Sequence, residues 1–186
     1  MNISQKKLIE NIIHESSKVI SNSIFIIPQI TQAINLMTTC IKNGNKIILF
    51  GNGGSAADAQ HVAAELVGRF KMERRSYSAL ALTTDSSIIT SISNDYSYDV
   101  VFSRQCDSLV CNGDVVIGIS TSGNSKNVEN GLKVAKKKNA VTIGVLGNKG
   151  GKIKNIVDIA IIVNSSDTAR IQEAHRTIFQ IGRAHV

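Results

Sequence analysis

From Lys46 onward one pattern recurs along the chain: a short unbroken apolar run, a loop of small or polar residues, then a helical stretch. The plain runs are Lys46-Ile47-Ile48-Leu49-Phe50, Asp114-Val115-Val116-Ile117-Gly118-Ile119, Ala140-Val141-Thr142-Ile143-Gly144-Val145-Leu146 and Asp158-Ile159-Ala160-Ile161-Ile162-Val163. Ser78-Ala79-Leu80-Ala81-Leu82 is a fifth candidate. Strands that are apolar throughout, rather than alternating, are buried on both faces, as in a parallel sheet covered by helices. Helical patterns fall between them, at about 55–69, 86–93, 98–111, 125–138 and 168–180. Strands alternating with helices are joined by right-handed crossovers, which predicts an α/β fold with a doubly wound five-stranded parallel sheet.

Residues 1–45 read differently, as N-terminal helices. Ile9, Ile12, Ile13, Val19 and Ile20 recur at helical spacing, and Pro28 can open a second helix, where its missing N–H costs nothing. That helix runs through Ala33, Ile34, Met37 and Ile41 to an expected C-cap at Gly44. A chain of 186 residues closes one sizeable core and favours one domain. No apolar run reaches the ~20 residues that span a bilayer. The start, Met1 to Lys7 followed by Leu8-Ile9-Glu10-Asn11-Ile12-Ile13, lacks the apolar segment and cleavage site of a secretory signal. A cytoplasmic protein with no membrane partner is expected. Cys40, Cys106 and Cys111 form no CxxC pair and fit reduced thiols.

The formal charge of +7 invites an anionic partner, but only 4% of residues are aromatic, too few for stacking on nucleic acid. The densest basic run, Lys136-Lys137-Lys138, falls at a helix end, where it complements the helix dipole. No nucleic-acid partner is expected.

Ligands of such sheets bind beyond the carboxyl ends of the strands, so the loops there are where chemistry is sought. After the first run comes Gly51-Asn52-Gly53-Gly54-Ser55-Ala56-Ala57-Asp58. Its glycines permit close backbone approach, Ser55 is placed to cap the next helix, and a helix N-terminus behind such a loop attracts anions. Gly51-x-Gly53-x-x-Ala56 also satisfies a loose dinucleotide fingerprint, but the acid expected ~20 residues later is missing and Asp85 lies much further on. A tight turn with a capped helix accounts for the same residues. After the third run, Ser120-Thr121-Ser122-Gly123-Asn124-Ser125 brings four hydroxyls before a helix beginning near Ser125. Hydroxyls with a helix dipole can hold a phosphate monoester; the Gly-Lys-Ser/Thr ending of a Walker A loop is absent. An ordinary serine-rich turn is the alternative. His61 and Glu65, four apart on the helix from Ser55, share one face, which this reading puts near the loops. They suit a surface ion pair, a shared divalent metal, or an acid and a base. Arg170-Ile171-Gln172-Glu173-Ala174-His175 opens the last helix with further polar groups.

Several of these stretches resemble the phosphoheptose isomerases of the SIS (sugar isomerase) superfamily. They are Gly51 to His61 with Ala64-Glu65-Leu66, Ala81-Leu82-Thr83-Thr84-Asp85, Asn94-Asp95-Tyr96, Ile119 to Ser125, and Asp167-Thr168-Ala169-Arg170-Ile171-Gln172-Glu173. The resemblance implies a flavodoxin-like SIS fold over 46–180, with 1–45 packing on the core and forming an oligomer interface. It implies a homotetramer with active sites at subunit junctions. The implied reaction converts D-sedoheptulose 7-phosphate to D-glycero-D-manno-heptose 7-phosphate through an enediol, the first step towards heptose for lipopolysaccharide or capsule. By the same resemblance Ser120, Thr121, Ser122 and Ser125 grip the phosphate, while Asn52, Gly53, Gly54, Asn94, Asp95, Glu65 and Gln172 contact the sugar. Glu65 is the catalytic base, and His61, Glu65 and Gln172 ligate one Zn2+ per subunit.

One position departs from the family pattern: a second histidine ligand is expected eight residues after Gln172, and Gln180 stands there. Glutamine is a poor zinc ligand and exchanges no proton near neutral pH. Neither His175 nor His185 occupies the matching position. The last residues, Ile181-Gly182-Arg183-Ala184-His185-Val186, read like one translated frame of a common sequencing adapter, so 181–186 is expected to be an artefactual tail. The competing functions are a non-catalytic SIS-fold binding protein, such as a replication-initiator assembly factor, and a sugar-phosphate-sensing module. A dehydrogenase would lack its ribose-binding acid.

Overall fold

The computed structural model describes residues 3–69 and 73–185, so Met1, Asn2 and Val186 of the expected outer segments lie outside the described residues. Helix α1 (Ile3–Asn22) passes through a 3-10 turn (Ser23–Ile26) into α2 (Ile27–Lys42), with Pro28 in its first turn. Asn43 caps α2, and the N–H groups of Gly44 and Asn45 fold back to the carbonyls of Ile41 and Cys40, at 3.1 and 3.0 Å. Gly44 is thus one residue past the cap, the usual place for glycine in this closure.

The sheet comprises β1 (Ile47–Gly51), β2 (Ala79–Ala81), β3 (Val115–Ser120), β4 (Val141–Gly147) and β5 (Ile159–Val163). The connecting helices are α3 (Gly54–Val67), α4 (Ser86–Asp95), α5 (Val101–Leu109) and α6 (Lys126–Lys137), with α7 (Thr168–His185) last. Strand for strand this matches the apolar runs. The stretch expected as one helix over 98–111 instead begins with a 3-10 turn, Tyr98–Val100, because the Ser97 hydroxyl accepts the Asp99 N–H and starts a separate turn. Helix α7 continues past Gln180 to His185.

All strands are parallel, in the order β2-β1-β3-β4-β5, and β1 pairs with β3 from Ile47↔Val115 to Gly51↔Ile119. This is the flavodoxin-like order, whose direction reverses between β1 and β3; the crevice beyond that switch point is where such sheets bind ligands. Because strand side chains alternate in direction, Ile47, Leu49, Ile117 and Val145 pack under α2, α3 and α7, while Ile48, Phe50 and Val116 pack under α5 and α6. The rings of Phe50 and Phe102 stack 4.8 Å apart on the second face. Cys40, Cys106 and Cys111 are free thiols; burial pushes the Cys106 thiol up to about 12, which leaves it inert near neutral pH.

By length and composition, Ser4–Lys42 includes a stretch apolar enough to cross a bilayer. Its α2 half is accounted for in the core, through Ile30, Ala33, Met37, Cys40 and Ile41. The α1 half and the 3-10 turn instead expose Leu8, Ile9, Ile13, Ile24 and Phe25.

Candidate active site

The loops after β1 and β3 lie side by side because Gly51 and Ile119 are register partners. Gly53, at φ +56°, occupies the cap position of α3 in a conformation few side chains adopt, and the helix begins at Gly54. Ser55 is therefore not the cap expected from its place before the apolar pattern. It lies inside the first turn, buried, against the Cα of Gly51, where an added Cβ would come within 2.8 Å of the Ser55 Cβ. Gly54 is exposed, and the Gln172 amide from α7 covers it: a Cβ there would lie 2.8 Å from Gln172 Nε2. The structure thus brings Gln172 to the glycine loop.

In the β3 turn, Ser120 Oγ lies 2.9 Å from Ser125 Oγ and 3.4 Å from Ser122 Oγ, and accepts the Gly123 N–H at 3.1 Å. Ser125 holds the N-cap position of α6, but its hydroxyl joins this cluster rather than capping the helix. Three hydroxyls at the head of a helix form a concentrated donor set for an anion. The loop after β4 holds the turn in place: Ile153 N–H donates to Gly123 O at 3.0 Å, and Lys152 N–H to Asn124 Oδ1 at 3.0 Å. Gly123 sits at φ +67°, and a Cβ on it would lie 2.2 Å from the Gly150 carbonyl oxygen. Gly123→Ala is accordingly expected to lower stability by roughly 2–4 kcal/mol, from backbone strain plus overpacking, as read by denaturant unfolding.

Asn52, in the glycine loop, reaches across to the head of α6. Its side-chain amide pairs reciprocally with that of Asn127, each Nδ2 donating to the other's Oδ1 at 2.9 Å, and the Tyr98 hydroxyl donates to Asn52 Oδ1 at 3.0 Å. Asn127 and Tyr98 were not legible as site residues, since nothing local marks a partner 75 or 46 positions away. Asn94 and Asp95 end α4, exposed, and bond to each other at 2.9 Å. Asp85, the acid weighed for a dinucleotide, caps α4 by accepting the Ile88 N–H at 2.9 Å.

His61 and Glu65 do share a face, with His61 Nε2 and Glu65 Oε1 3.9 Å apart. Their expected nearness to the loops is the part the structure corrects. Helix α3 starts at the carboxyl end of β1 and runs back along the sheet, so Glu65 lies eleven residues, about 16 Å of helix, from Gly54. Its neighbour Leu66 accepts the Tyr77 N–H just before β2 begins, at the amino ends of the strands, whereas Ser120 lies at the carboxyl end of β3. Within one chain, then, the carboxylate and the hydroxyl turn stand apart. Gln172 is likewise two turns of α3 from His61, by way of its contact with Gly54. Among the described residues no three His, Cys, Asp or Glu side chains converge as a metal cluster.

Around His61 lies a depression of about 310 Å³, walled by Asp58, Arg176, Phe179 and Gln180 among others. Gln180 thus faces the histidine from α7. Arg176 Nε donates to the buried Asp58 Oδ1 at 3.1 Å, tying the two helices together. His175 is fully buried beneath them with Nε2 3.1 Å from the Leu146 carbonyl, and burial holds its pKa below the ordinary histidine value. It is a core group.

The SIS domain pattern matches residues 7–147. A phosphoheptose isomerase from Geotalea daltonii is 52% identical over 178 residues, covering 96% of this chain and 88% of the relative. Among solved structures, a phosphoheptose isomerase from Neisseria gonorrhoeae superposes with a TM-score of 0.92 at 40% identity, covering 97% of both chains. One from Francisella tularensis superposes with a TM-score of 0.93 at 32% identity, covering 99% of this chain and 97% of that one. With the glycine loop and hydroxyl turn at the switch point of a 2-1-3-4-5 sheet, this likeness along nearly the whole chain means that the protein belongs to the SIS domain family, among its phosphoheptose isomerases.

Proposed function

We propose that this chain is an aldose–ketose isomerase that interconverts D-sedoheptulose 7-phosphate and D-glycero-D-manno-heptose 7-phosphate, at a site completed by a second copy of itself. The observation that carries the reading is the hydroxyl cluster of Ser120, Ser122 and Ser125 beside the Asn52-Gly53-Gly54 loop. That pair of loops suits a phosphorylated polyol: hydroxyl and backbone donors for the ester, an amide and bare backbone for the chain of hydroxyls. The 52% identity to a phosphoheptose isomerase favours this reading over a non-catalytic assembly factor.

In this reading Ser120, Thr121, Ser122 and Ser125 anchor the phosphate. Asn52, Gly53, Gly54, Asn94, Asp95 and Gln172 line the sugar. Remote binding energy of the ester then holds the reacting carbons in register with the base. Glu65 takes a proton from one of carbons 1 and 2 and returns it to the other through the enediol. Since α3 carries Glu65 away from its own hydroxyl turn, the carboxylate that serves each turn comes from a neighbouring subunit. The exposed apolar side chains of α1 and the following turn, Leu8, Ile9, Ile13, Ile24 and Phe25, supply surface for such an assembly, a homotetramer in this proposal. The step belongs in the cytoplasm, supplying heptose for lipopolysaccharide or capsule.

His61 and Glu65 offer an imidazole and a carboxylate one helical turn apart, donors of the kind zinc takes, with the Gln172 amide of another copy as a third. Zinc bound there would polarise the sugar carbonyl as a Lewis acid. Gln180 weakens the set, and it faces His61 across the same depression. Gln180→His is therefore expected to raise zinc affinity at least about tenfold, as measured by competition with a chromogenic chelator. The function itself is tested by incubating the purified protein with sedoheptulose 7-phosphate, with and without zinc, and following the aldose product. No product from this chain or from Gln180→His, despite intact sugar-phosphate binding, would overturn the isomerase reading.

A further inference from the structure

We infer that Asn127, assisted by Tyr98, is a positioning residue that locks the Asn52 side chain so that it meets the sugar as a hydrogen-bond donor and never as an acceptor. This rests on the isomerase reading for its substrate, but its geometry is independent of that reading.

The first N–H groups of a helix have no partner within the helix. At the head of α6, the Val128 N–H is one of these, and it donates to Asn127 Oδ1 at 2.9 Å. That contact decides which end of the Asn127 amide is oxygen. Were the amide reversed, its NH2 would face the Val128 N–H, two donors against each other in a side chain that is 3% exposed. With Asn127 so fixed, its Nδ2 must point to Asn52, where it finds Oδ1 at 2.9 Å. The return bond, Asn52 Nδ2 to Asn127 Oδ1 at 2.9 Å, completes a reciprocal pair.

The Asn52 amide is then nearly used up. Its oxygen has two lone pairs, one taken by Asn127 Nδ2 and the other by the Tyr98 hydroxyl at 3.0 Å. Its nitrogen has two hydrogens, of which Asn127 Oδ1 takes one. What remains is a single N–H on Asn52, a residue of the glycine loop whose pairing with Asn127 ties it to the head of α6, behind the hydroxyl turn. Its natural partner is an oxygen of the bound sugar, and such a donor strengthens as that oxygen gains charge. The sense of the bond is set 75 positions away in sequence, by an unpaired backbone group at the end of a helix.

The test uses the full chain and sedoheptulose 7-phosphate. Asn127→Asp removes the donor to Asn52 Oδ1 and places an acceptor against it, so kcat/KM should fall about 10- to 100-fold, with most of the loss in kcat. Tyr98→Phe, at an exposed position, should cost a few-fold with the fold intact. Added to Asn52→Ala, Asn127→Asp should cause no further loss, because Asn127 acts only through Asn52. A fully additive loss in that double variant would overturn the proposal. A second readout needs no turnover: in 1H–15N spectra of the Asn52 side-chain amide, one hydrogen should be protected from exchange and the other fast. Asn127→Asp should remove the difference. Equal exchange of both hydrogens in the native chain would refute the lock even in an active isomerase. Split exchange in a protein with no turnover would defeat the isomerase reading and leave the lock standing.

Discussion

Glu65→Gln is expected to reduce turnover of sedoheptulose 7-phosphate by about 10²- to 10⁴-fold, the range for loss of a positioned general base, while the protein still binds the sugar phosphate. The substitution keeps the shape of the side chain and removes its ability to take a carbon-bound proton near neutral pH. It should leave the fold undisturbed. The Glu65 side chain is 26% exposed, and the backbone around it is held by other groups: Arg74 Nη2 donates to the Glu65 carbonyl at 2.9 Å and Arg74 Nη1 to that of Leu66 at 3.0 Å. Binding should survive because the proposed phosphate anchor, Ser120 with Ser122 and Ser125, is elsewhere in the chain. The measurement is a product assay alongside calorimetric titration with the sugar phosphate. Loss of kcat with unchanged affinity fits a base. Retained turnover within a few-fold of the native protein would remove Glu65 from the chemistry.

The second large effect follows from the distance between Glu65 and the hydroxyl turn. Two inactive variants, Glu65→Gln and Ser122→Asp, should partly restore activity to each other when unfolded together and refolded as a mixture. Ser122 is exposed, so an aspartate there is tolerated in the fold while its charge repels a phosphate dianion. If each site draws its turn from one subunit and its carboxylate from another, random assembly gives about a quarter of sites two intact halves, so about a quarter of native activity returns. If both halves came from a single chain, every site would carry a defect and the mixture would stay inactive. The assay is a titration of one variant into the other, with activity peaking near equal amounts. A flat, inactive titration in which mixed oligomers are shown to form would rule out the shared site.

Much of the fold could be read along the chain because its signals are local. Each apolar run became a strand within a residue or two, since a run of Ile, Val and Leu is stable only where both faces are covered. Where the reading missed, a local rule was overridden nearby. Ser55 looked like a cap, but Gly53 adopts the strained cap conformation itself and lets the helix start early, leaving Ser55 to fill the space beside Gly51. Of the candidate site, the closeness of the Ser120, Ser122 and Ser125 hydroxyls and of the i,i+4 pair His61 and Glu65 was legible, because sequence neighbours on a turn or a helix face stay neighbours in space.

By itself, then, the sequence determined the five strands, the helices between them, and the glycine loop and hydroxyl turn that follow β1 and β3, all consequences of spacing over a few residues. Only the tertiary structure decided how these parts face one another. The direction in which α3 returns along the sheet carries Glu65 about 16 Å from its own glycine loop, the separation on which the proposal of a site shared by two copies rests. The pairing of β1 with β3 brings Asn52 to Asn127 across 75 positions, and with it the orientation of the Asn52 amide. Spacing along a chain encodes which residues share a face; it does not encode which faces meet, because that is settled by the packing of whole elements.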